Sequence, residues 1–266
     1  MFEKDEQVMN TRSRLPEGTT GRAHTHIQLL DSFGVRHDGE AVHLPMSAQR
    51  ILAFLAIRSH PMLRLHVAGS LWLDSPEERG FANLRSALWR IHRSGLVVVD
   101  SSGGALRLAA GVRVDLHEAT VLAHRLIGSV PMGASGGAEW LPLAREVLPD
   151  WDDDWALVER EHFRNLSLQA LESLCEHLTA QGALRQALEV GLAAFAREPL
   201  RESAHRLLVR IYLADGNPFD AIRQFRLYRD LVRSRLGIEP SGQMLELVHG
   251  LLRDDAEVSA GPIAAA

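Results

Sequence analysis

Four acidic residues near the middle of the chain have the spacing of a calcium-binding loop. Asp150, Asp152, Asp154 and Glu161 occupy the first, third, fifth and twelfth places of that pattern. The sixth place needs glycine because the loop turns sharply there, and this sequence has Trp155 instead. The pattern therefore favours a capped turn anchored by tryptophan over a metal site.

Histidine and cysteine also fail to supply a metal site or a nucleophile. Of the 13 His residues only His24 and His26 are closely spaced, and no second pair of ligands follows them. The single cysteine, Cys175, stands among leucines at a predicted helix contact, where a small buried residue is the simpler interpretation. No nucleophile elbow or recognisable Ser-His-Asp arrangement occurs. We therefore expect no catalytic residue, no metal, no cofactor and no enzymatic activity.

A row of arginine and polar side chains with helical spacing is the strongest candidate for binding chemistry. At about 100° per residue, one side of a helix ending near residue 93 collects Phe81, Leu84, Leu88 and Ile91. The opposite side, about 80° wide, collects Arg79, Asn83, Ser86, Arg90 and Arg93. Arg and Asn can contact guanine and adenine edges in pairs of hydrogen bonds, and flanking Arg can neutralise phosphates. Taken alone, such a face is usually only solvated surface, so its structural context decides.

The elements around this helix follow a recognisable order. Asp38-Gly39 between apolar runs predicts a hairpin of short antiparallel strands. Ser47 is the expected cap of a first helix that ends at Ser59-His60-Pro61, and a second helix covers about 64–72. Ser75-Pro76-Glu77-Glu78 has the pattern of a capping box at the start of the third helix, which Gly95 ends. A second hairpin then turns at Ser102-Gly103-Gly104.

Strands, three helices and a hairpin are the plan of a winged helix, whose third helix enters the major groove and whose hairpin, the wing, reaches the flanking DNA. In this plan Asn83, Ser86 and Arg90 face base edges, while Arg79, Arg93 and Arg107 on the wing face phosphates. Arg85 and Ser102 are further predicted DNA contacts. The first half of the chain is thus predicted to bind double-stranded DNA.

The second half is predicted to be almost entirely helical. Residues 112–114 can form a last strand, and Asp115 with Glu118 has the pattern of a capping box before a helix to about Ile127. Residues 128–138 are expected to form a flexible loop, after which 140–148 resumes a helical pattern. An extra helix at about 242–253 is expected to cap the domain.

A repeat with a period of 34 residues runs through this helical part. Leu174, Cys175, Leu178, Gly182 and Ala187 recur 34 positions later as Leu208, Val209, Tyr212, Gly216 and Ala221. This is the period of tetratricopeptide helix pairs, which stack and leave a concave surface for a partner. The predicted fold is therefore mainly α with small β-sheets, a winged helix followed by a tetratricopeptide-like domain.

The net charge also differs between the two predicted halves of the chain. Residues 22–117 hold 11 Arg and 8 Asp or Glu, net +3, whereas residues 118–266 hold 15 Arg and 22 Asp or Glu, net −7. We predict a flexible tail at 1–23, a winged helix at 24–114, a helical domain at 115–254 and a disordered tail at 255–266. The N-terminus lacks the apolar core of a secretory signal and no stretch is long enough to span a membrane, which predicts a cytoplasmic protein.

Together these segments resemble the Streptomyces antibiotic regulatory protein family of transcriptional activators. In that family a winged helix of the response-regulator type precedes a bacterial transcriptional activation domain. The resemblance rests on LLDSFGVRHDGEAVHL, ANLRSALWRIHR, LPDWDDDW and AHRLLVRIYLADGNPFDAIRQFRLYRDLVRSRLGIEPS, and extends from about Ile27 to Leu252. It implies that the protein activates biosynthetic genes. It also implies that two protomers bind side by side to direct repeats, as a homodimer on DNA, and that they recruit RNA polymerase.

The chain departs from larger members of that family. It has no Gly-rich loop ending in Gly-Lys-Ser/Thr, and hence no nucleotide-binding module, and no phosphopeptide-binding extension. Trp89 and His92 stand where related winged helices often have basic residues, so phosphate contacts are not expected from these two positions.

The resemblance also gives a role to the turn before the third helix. In response-regulator relatives this turn contacts RNA polymerase, which implies that role for Asp74 and Glu77.

Two other functions are compatible with the sequence. One is an adaptor whose repeats bind a protein and whose winged helix contacts protein instead of DNA. The other is a regulator that senses a small molecule through its helical domain.

Overall fold

The computed structural model describes residues 25–128 and 138–259, which are mainly helical with two small β-sheets in the first half. The predicted tail at 1–23, His24, most of the predicted loop at 128–138 and the end of the C-terminal tail lie outside this range. None of the helices within it is both long and apolar enough to cross a bilayer.

The first sheet joins the start of the winged helix to its end. It contains β1 (Thr25–Gln28), β2 (Gly34–His37), β3 (Glu40–Ala41) and β7 (Arg113–Val114) in the order β3-β2-β1-β7. All neighbours are antiparallel except β1 and β7, which pair in parallel. Asp38 and Gly39 form the β2–β3 turn with φ of 49° and 88°, as two-residue hairpins of this hand require. The predicted hairpin is therefore confirmed.

Three helices and the second sheet complete the winged helix. They are α1 (Met46–Arg58), α2 (Arg64–Leu71) and α3 (Glu77–Arg93). The sheet contains β4 (Met62–Leu63), β5 (Val99–Ser102) and β6 (Ala105–Leu108) in the order β4-β6-β5, with β5 and β6 forming the wing. The sequence order of strands, three helices and hairpin is thus confirmed.

Two of the predicted helix caps are wrong. α1 begins at Met46 with Pro45 at its N-cap, so Ser47 lies inside the first turn. α3 begins at Glu77 with Pro76 at its N-cap and no capping hydrogen bond from a side chain, so Ser75 does not form a capping box with Glu78. In both helices a proline with extended backbone leads directly into the helix. Proline lacks an N–H, so it suits a position where no intrahelical bond is made.

The helix α4 (Asp115–Ile127) also lacks the predicted capping box. Glu118 pairs with Arg113 at 2.7 Å instead of closing the box. The carboxylate of Asp115 accepts hydrogen bonds from the backbone N–H groups of Leu29 at 2.8 Å and Leu30 at 3.1 Å, and from Leu116 at 2.7 Å. Burial raises the pKa of Asp115, and the three backbone hydrogen bonds oppose that shift. Asp115 therefore joins α4 to the end of β1.

Residues 140–148 do not form the α-helix that their sequence pattern predicts. A 3₁₀ helix spans Ala138–Ala144 and contains Pro142, which has no N–H to donate to an α-helical bond. The chain then pairs with the residues after β1: Leu148 N–H donates to Leu29 C=O at 2.9 Å, and Asp31 N–H donates to Glu146 C=O at 2.7 Å. These long-range bonds replace the helical ones.

Five helices make up the rest of the chain. They are α5 (Asp154–Ala180), α6 (Leu184–Arg197), α7 (Glu202–Ala214), α8 (Pro218–Leu236) and α9 (Gly242–Ser259). α9 begins where predicted but ends later, so the first residues of the predicted disordered tail are helical. The apolar side chains of α8 and the first part of α9 form a separate cluster around Phe225, Tyr228 and Met244.

The 34-residue repeat is visible in the backbone of the two helix pairs. Gly182 between α5 and α6 has φ of 74°, and Gly216 between α7 and α8 has φ of 71°. After each glycine the same hydrogen bond closes the turn, from Ala183 N–H to Leu178 C=O at 2.9 Å and from Asn217 N–H to Tyr212 C=O at 2.8 Å. This is the Schellman ending, which favours glycine because the backbone is left-handed there. The predicted helix pairs are confirmed.

An aromatic row packs the N-terminal end of α5 against the winged helix. Phe33 contacts Trp151 with ring centroids 5.7 Å apart, Trp151 contacts Trp155 at 5.9 Å, and Trp155 meets Phe54 of α1 edge to face at 5.4 Å. One apolar core runs from β1 and α1 through α4 to α7 without a break. The boundary between residues 114 and 115 stays a prediction, because the core is continuous there.

Candidate nucleic-acid interface

The helix α3 has one buried side and one exposed side. Gly80, Leu84, Ala87 and Ile91 are buried, and Phe81 and Leu88 pack partly against the same core. The exposed face of α3 carries Arg79, Arg85, Ser86, Trp89, Arg90 and Arg93. Between Arg79 and Arg93 the helix has no acidic residue. The face is therefore positively charged along its whole length.

None of the four arginines on this face has an ionic partner in the part of the chain that the structure describes. Arg93 instead lies over the ring of Trp89, with its guanidinium carbon 5.0 Å from the ring centroid. Unpaired guanidinium groups on a protruding helix can bind phosphate or base edges without first breaking an ion pair.

Trp89 is the residue on this face that sequence reasoning missed. Its side chain is 57% exposed, although tryptophan is usually largely buried. It lies between Arg85 and Arg93 on consecutive turns of the helix. The signal was available, because the helical period places residue 89 outside the apolar stripe and about 40° from Arg93. Its large flat ring is free to make an apolar contact with a partner.

Asn83 and Arg90 occupy the edge of the exposed face. Asn83 is only half-exposed, next to the buried side of the helix. Arg90 is exposed, and its Nη1 donates a hydrogen bond to the hydroxyl of Ser47 on α1 at 3.3 Å. Ser47 therefore holds the Arg90 side chain in place instead of capping α1.

The two predicted contact residues of the wing, Ser102 and Arg107, differ in their surroundings. Ser102 is exposed at the tip, beside the turn formed by Gly103 and Gly104. Arg107 is exposed but forms two hydrogen bonds with the carboxylate of Asp100 across the wing, at 2.9 Å and 2.7 Å. Its charge is thus partly neutralised within the chain. The guanidinium of Arg64 donates to Ser101 at 2.7 Å and adds a further cation near the wing.

The turn before α3 is fully accessible. Asp74 and Glu77 are exposed, and Leu73 beside them is 74% exposed. The turn lies at the opposite end of α3 from Arg93. A partner can therefore reach the turn while the exposed face of α3 is occupied.

The remaining candidate sites have structural explanations. Residues 154–161 lie in α5, so they cannot wrap an ion as a calcium loop does, and Glu161 pairs with Arg164 at 2.8 Å. Within the described ranges no group of three or more His, Cys, Asp or Glu residues could hold a metal. Burial raises the pKa of the Cys175 thiol to about 12, so it is protonated at neutral pH and unsuited to nucleophilic attack.

Comparison with known proteins finds a match to one family model and to two named relatives. Residues 140–252 match the family model described as bacterial transcriptional activator domain. The chain is 28% identical over 242 residues to regulatory protein AfsR of Streptomyces coelicolor, covering 84% of this chain and 24% of that protein. It is 26% identical over 213 residues to AfsR of Streptomyces griseus, covering 74% and 21%. The chain spans about a quarter of the length of these relatives.

These matches agree with the resemblance seen in the sequence, which is to a family in which a winged helix precedes a bacterial transcriptional activation domain.

A solved structure shares the fold of this chain. It is that of Mycobacterium tuberculosis EmbR in complex with a low affinity phosphopeptide, with a TM-score of 0.67 and 21% identity, covering 90% of this chain and 68% of that one. The likeness covers both the winged helix and the helical repeats, and so confirms the predicted fold class.

Proposed function

We propose that this protein is a sequence-specific DNA-binding activator of biosynthetic genes. The exposed face of α3 carries the proposal, because it places four arginines and an exposed tryptophan on the helix that enters the major groove in winged-helix proteins. The acidic helical half repels phosphate and is left for protein contacts. Binding to direct repeats as a homodimer and recruitment of RNA polymerase are further parts of the proposal.

Mapping of bound sites across the genome, followed by titration of the recovered duplex at several salt concentrations, tests the proposal. We expect one recurring motif in direct repeat, and an affinity that falls steeply as salt rises because bound phosphates release counterions. An adaptor whose winged helix contacts protein would show neither a motif nor a salt-sensitive preference for one duplex. Either absence would reject the proposal in favour of the adaptor.

Two arginines on α3 are expected to act differently. Arg90, held by Ser47, is proposed to read a base, and Arg93 is proposed to contact a phosphate. Arg90→Ala should cost about 1–3 kcal/mol and relax the preference at one base pair, whereas Arg93→Ala should weaken matched and mismatched duplexes alike. Titration of each variant against duplexes with single base changes measures this. Unchanged specificity in Arg90→Ala would contradict the assignment.

The turn before α3 is proposed to contact RNA polymerase through Asp74 and Glu77. Both side chains are exposed, and Asp74 lies ahead of the helix, so its charge can be removed without disturbing the helix start. Asp74→Asn should leave operator affinity nearly unchanged and lower the yield of transcript in a purified system. Glu40→Gln, a change of an exposed carboxylate on β3, is the control. If DNA binding falls in parallel with transcription, the turn belongs to the DNA-binding surface instead.

A further inference from the structure

The outward side of α2 and of the two residues after it carries no Asp, Glu, Lys or Arg. The exposed residues from 65 to 73 are Leu65, His66, Gly69 and Leu73. Leu65 is 55% exposed and Leu73 is 74% exposed. A surface helix usually presents charged and polar side chains to solvent. An outward side with two leucines and no such charge has the composition of a contact surface.

Gly69 lies in the middle of this outward side. It is inside α2, and a Cβ built on it would meet no atom within 4 Å in the described part of the chain. Neither a left-handed backbone nor packing within these residues requires glycine there, although glycine destabilises a helix relative to alanine. Without a side chain at this position, the backbone of another helix can approach α2 closely.

The residues around Gly69 are arranged symmetrically. Leucine stands four positions before it and four positions after it, as Leu65 and Leu73. Opposite charges stand five positions before and after it, as Arg64 and Asp74. If two copies of this segment pack antiparallel across a two-fold axis at Gly69, each Leu65 lies beside the other copy's Leu73, and each Arg64 lies beside the other copy's Asp74. The segment is therefore complementary to itself.

The two charged side chains are available for this contact. Asp74 is exposed, and its carboxylate has no hydrogen bond or ion pair within the described residues. The half-buried Arg64 donates one hydrogen bond, to the hydroxyl of Ser101 at 2.7 Å, and has no carboxylate partner in the same part of the chain. Because Arg64 and Asp74 stand at opposite ends of α2, they cannot pair with each other in one chain.

We propose that α2 is the docking surface for a second copy of this chain, in a two-fold dimer that forms without DNA. Leu65 and Leu73 pack across the axis at Gly69, and Arg64 pairs with the other copy's Asp74 at both ends. With eight residues, α2 is about 12 Å long. It offers less than the roughly 800 Å² per partner of a standard interface, so the dimer is weak and dissociates on dilution.

The dimer also affects regulation, in a way that rests on the proposed function. It covers Asp74, which is proposed to contact RNA polymerase. Its two-fold symmetry matches a palindromic site, whereas the half-sites of a direct repeat are related by translation. The dimer is therefore a form off the DNA that cannot activate transcription, and it accumulates only at high protein concentration.

Sedimentation velocity of the full chain without DNA, from about 2 to about 200 µM, tests the dimer. We expect a reversible monomer–dimer equilibrium with a Kd of about 50 µM. Leu65→Glu should weaken it about tenfold or more, because it places two charges in the apolar contact. Leu227→Glu, at a leucine of α8 with 47% exposure, is the matched control and should have no effect. A purely monomeric chain, or an unchanged Kd in Leu65→Glu, would overturn the proposal.

Two charge reversals test the symmetry of the contact. Arg64→Glu and Asp74→Arg each bring like charges together at both ends of the dimer, so each should dimerise about tenfold more weakly than wild type. In an equimolar mixture, the Arg64→Glu chain meets the Asp74→Arg chain with opposite charges at both ends. The mixture should therefore recover a Kd within about threefold of wild type. If the mixture dimerises no better than the separate variants, the two-fold contact is wrong. None of these measurements involves DNA, so their outcome is distinct from that of the proposed function.

Discussion

Replacing Trp89 with alanine is expected to weaken binding to the operator about 30-fold, or by about 2 kcal/mol. The side chain is 57% exposed in the middle of the exposed face of α3, and Arg93 lies over its ring. In a DNA complex the ring would be covered, which buries apolar area, and could pack against thymine methyl groups. Loss of the ring would also release Arg93 from a fixed position. Fluorescence anisotropy with operator and scrambled duplexes measures the effect.

A second substitution separates the roles of shape and charge at this position. Trp89→Arg should restore overall affinity through phosphate contact but lower the ratio of operator to scrambled binding. Phe219→Ala provides the control, since Phe219 is an aromatic residue of α8 with 73% exposure, in the helical domain. Operator binding within about twofold of wild type in Trp89→Ala would show that the ring lies outside the interface.

The features of the fold that depend on neighbouring residues could be predicted from the sequence. Asp38-Gly39 forms its hairpin and Gly182 and Gly216 end their helices, because each needs a left-handed backbone that only a few residue types tolerate. The apolar stripe of α3 could be predicted for the same reason, since its period is local. These signals require no knowledge of distant partners.

The features that were predicted wrongly from the sequence depend on contacts with residues far away in the chain. Residues 140–148 have an apolar period that suits a helix, but Val147 and Leu148 pair with the chain after β1, more than 100 positions earlier. The exposure of Trp89 was open to prediction. A cavity of about 620 Å³ lined by Arg58, Asp74 and Trp155 was not, because its walls come from three separate segments and no local pattern indicates it.

Removal of the Asp115 carboxylate is expected to have the largest effect on stability. Asp115→Ala should lower the free energy of unfolding by about 3–5 kcal/mol, because it leaves the buried N–H groups of Leu29 and Leu30 without an acceptor. Asp115→Asn keeps one acceptor oxygen and should cost about 1–2 kcal/mol. Urea denaturation followed by circular dichroism measures both values.

Glu118 distinguishes this account from the capping box that the sequence suggested. If Asp115 and Glu118 capped α4 together, Glu118→Ala would remove the acceptor of the capping box and cost nearly as much as loss of an N-cap, about 1 kcal/mol. In the structure Glu118 is exposed and pairs with the exposed Arg113, so the expected cost is below about 0.5 kcal/mol. A small effect of Glu118→Ala beside a large effect of Asp115→Ala would establish that Asp115 acts through β1. Equal effects of the two substitutions would support the capping box instead.

Because the residues after β1 also pair with residues 146–148, loss of the Asp115 contact should loosen the attachment of the helical domain to the winged helix.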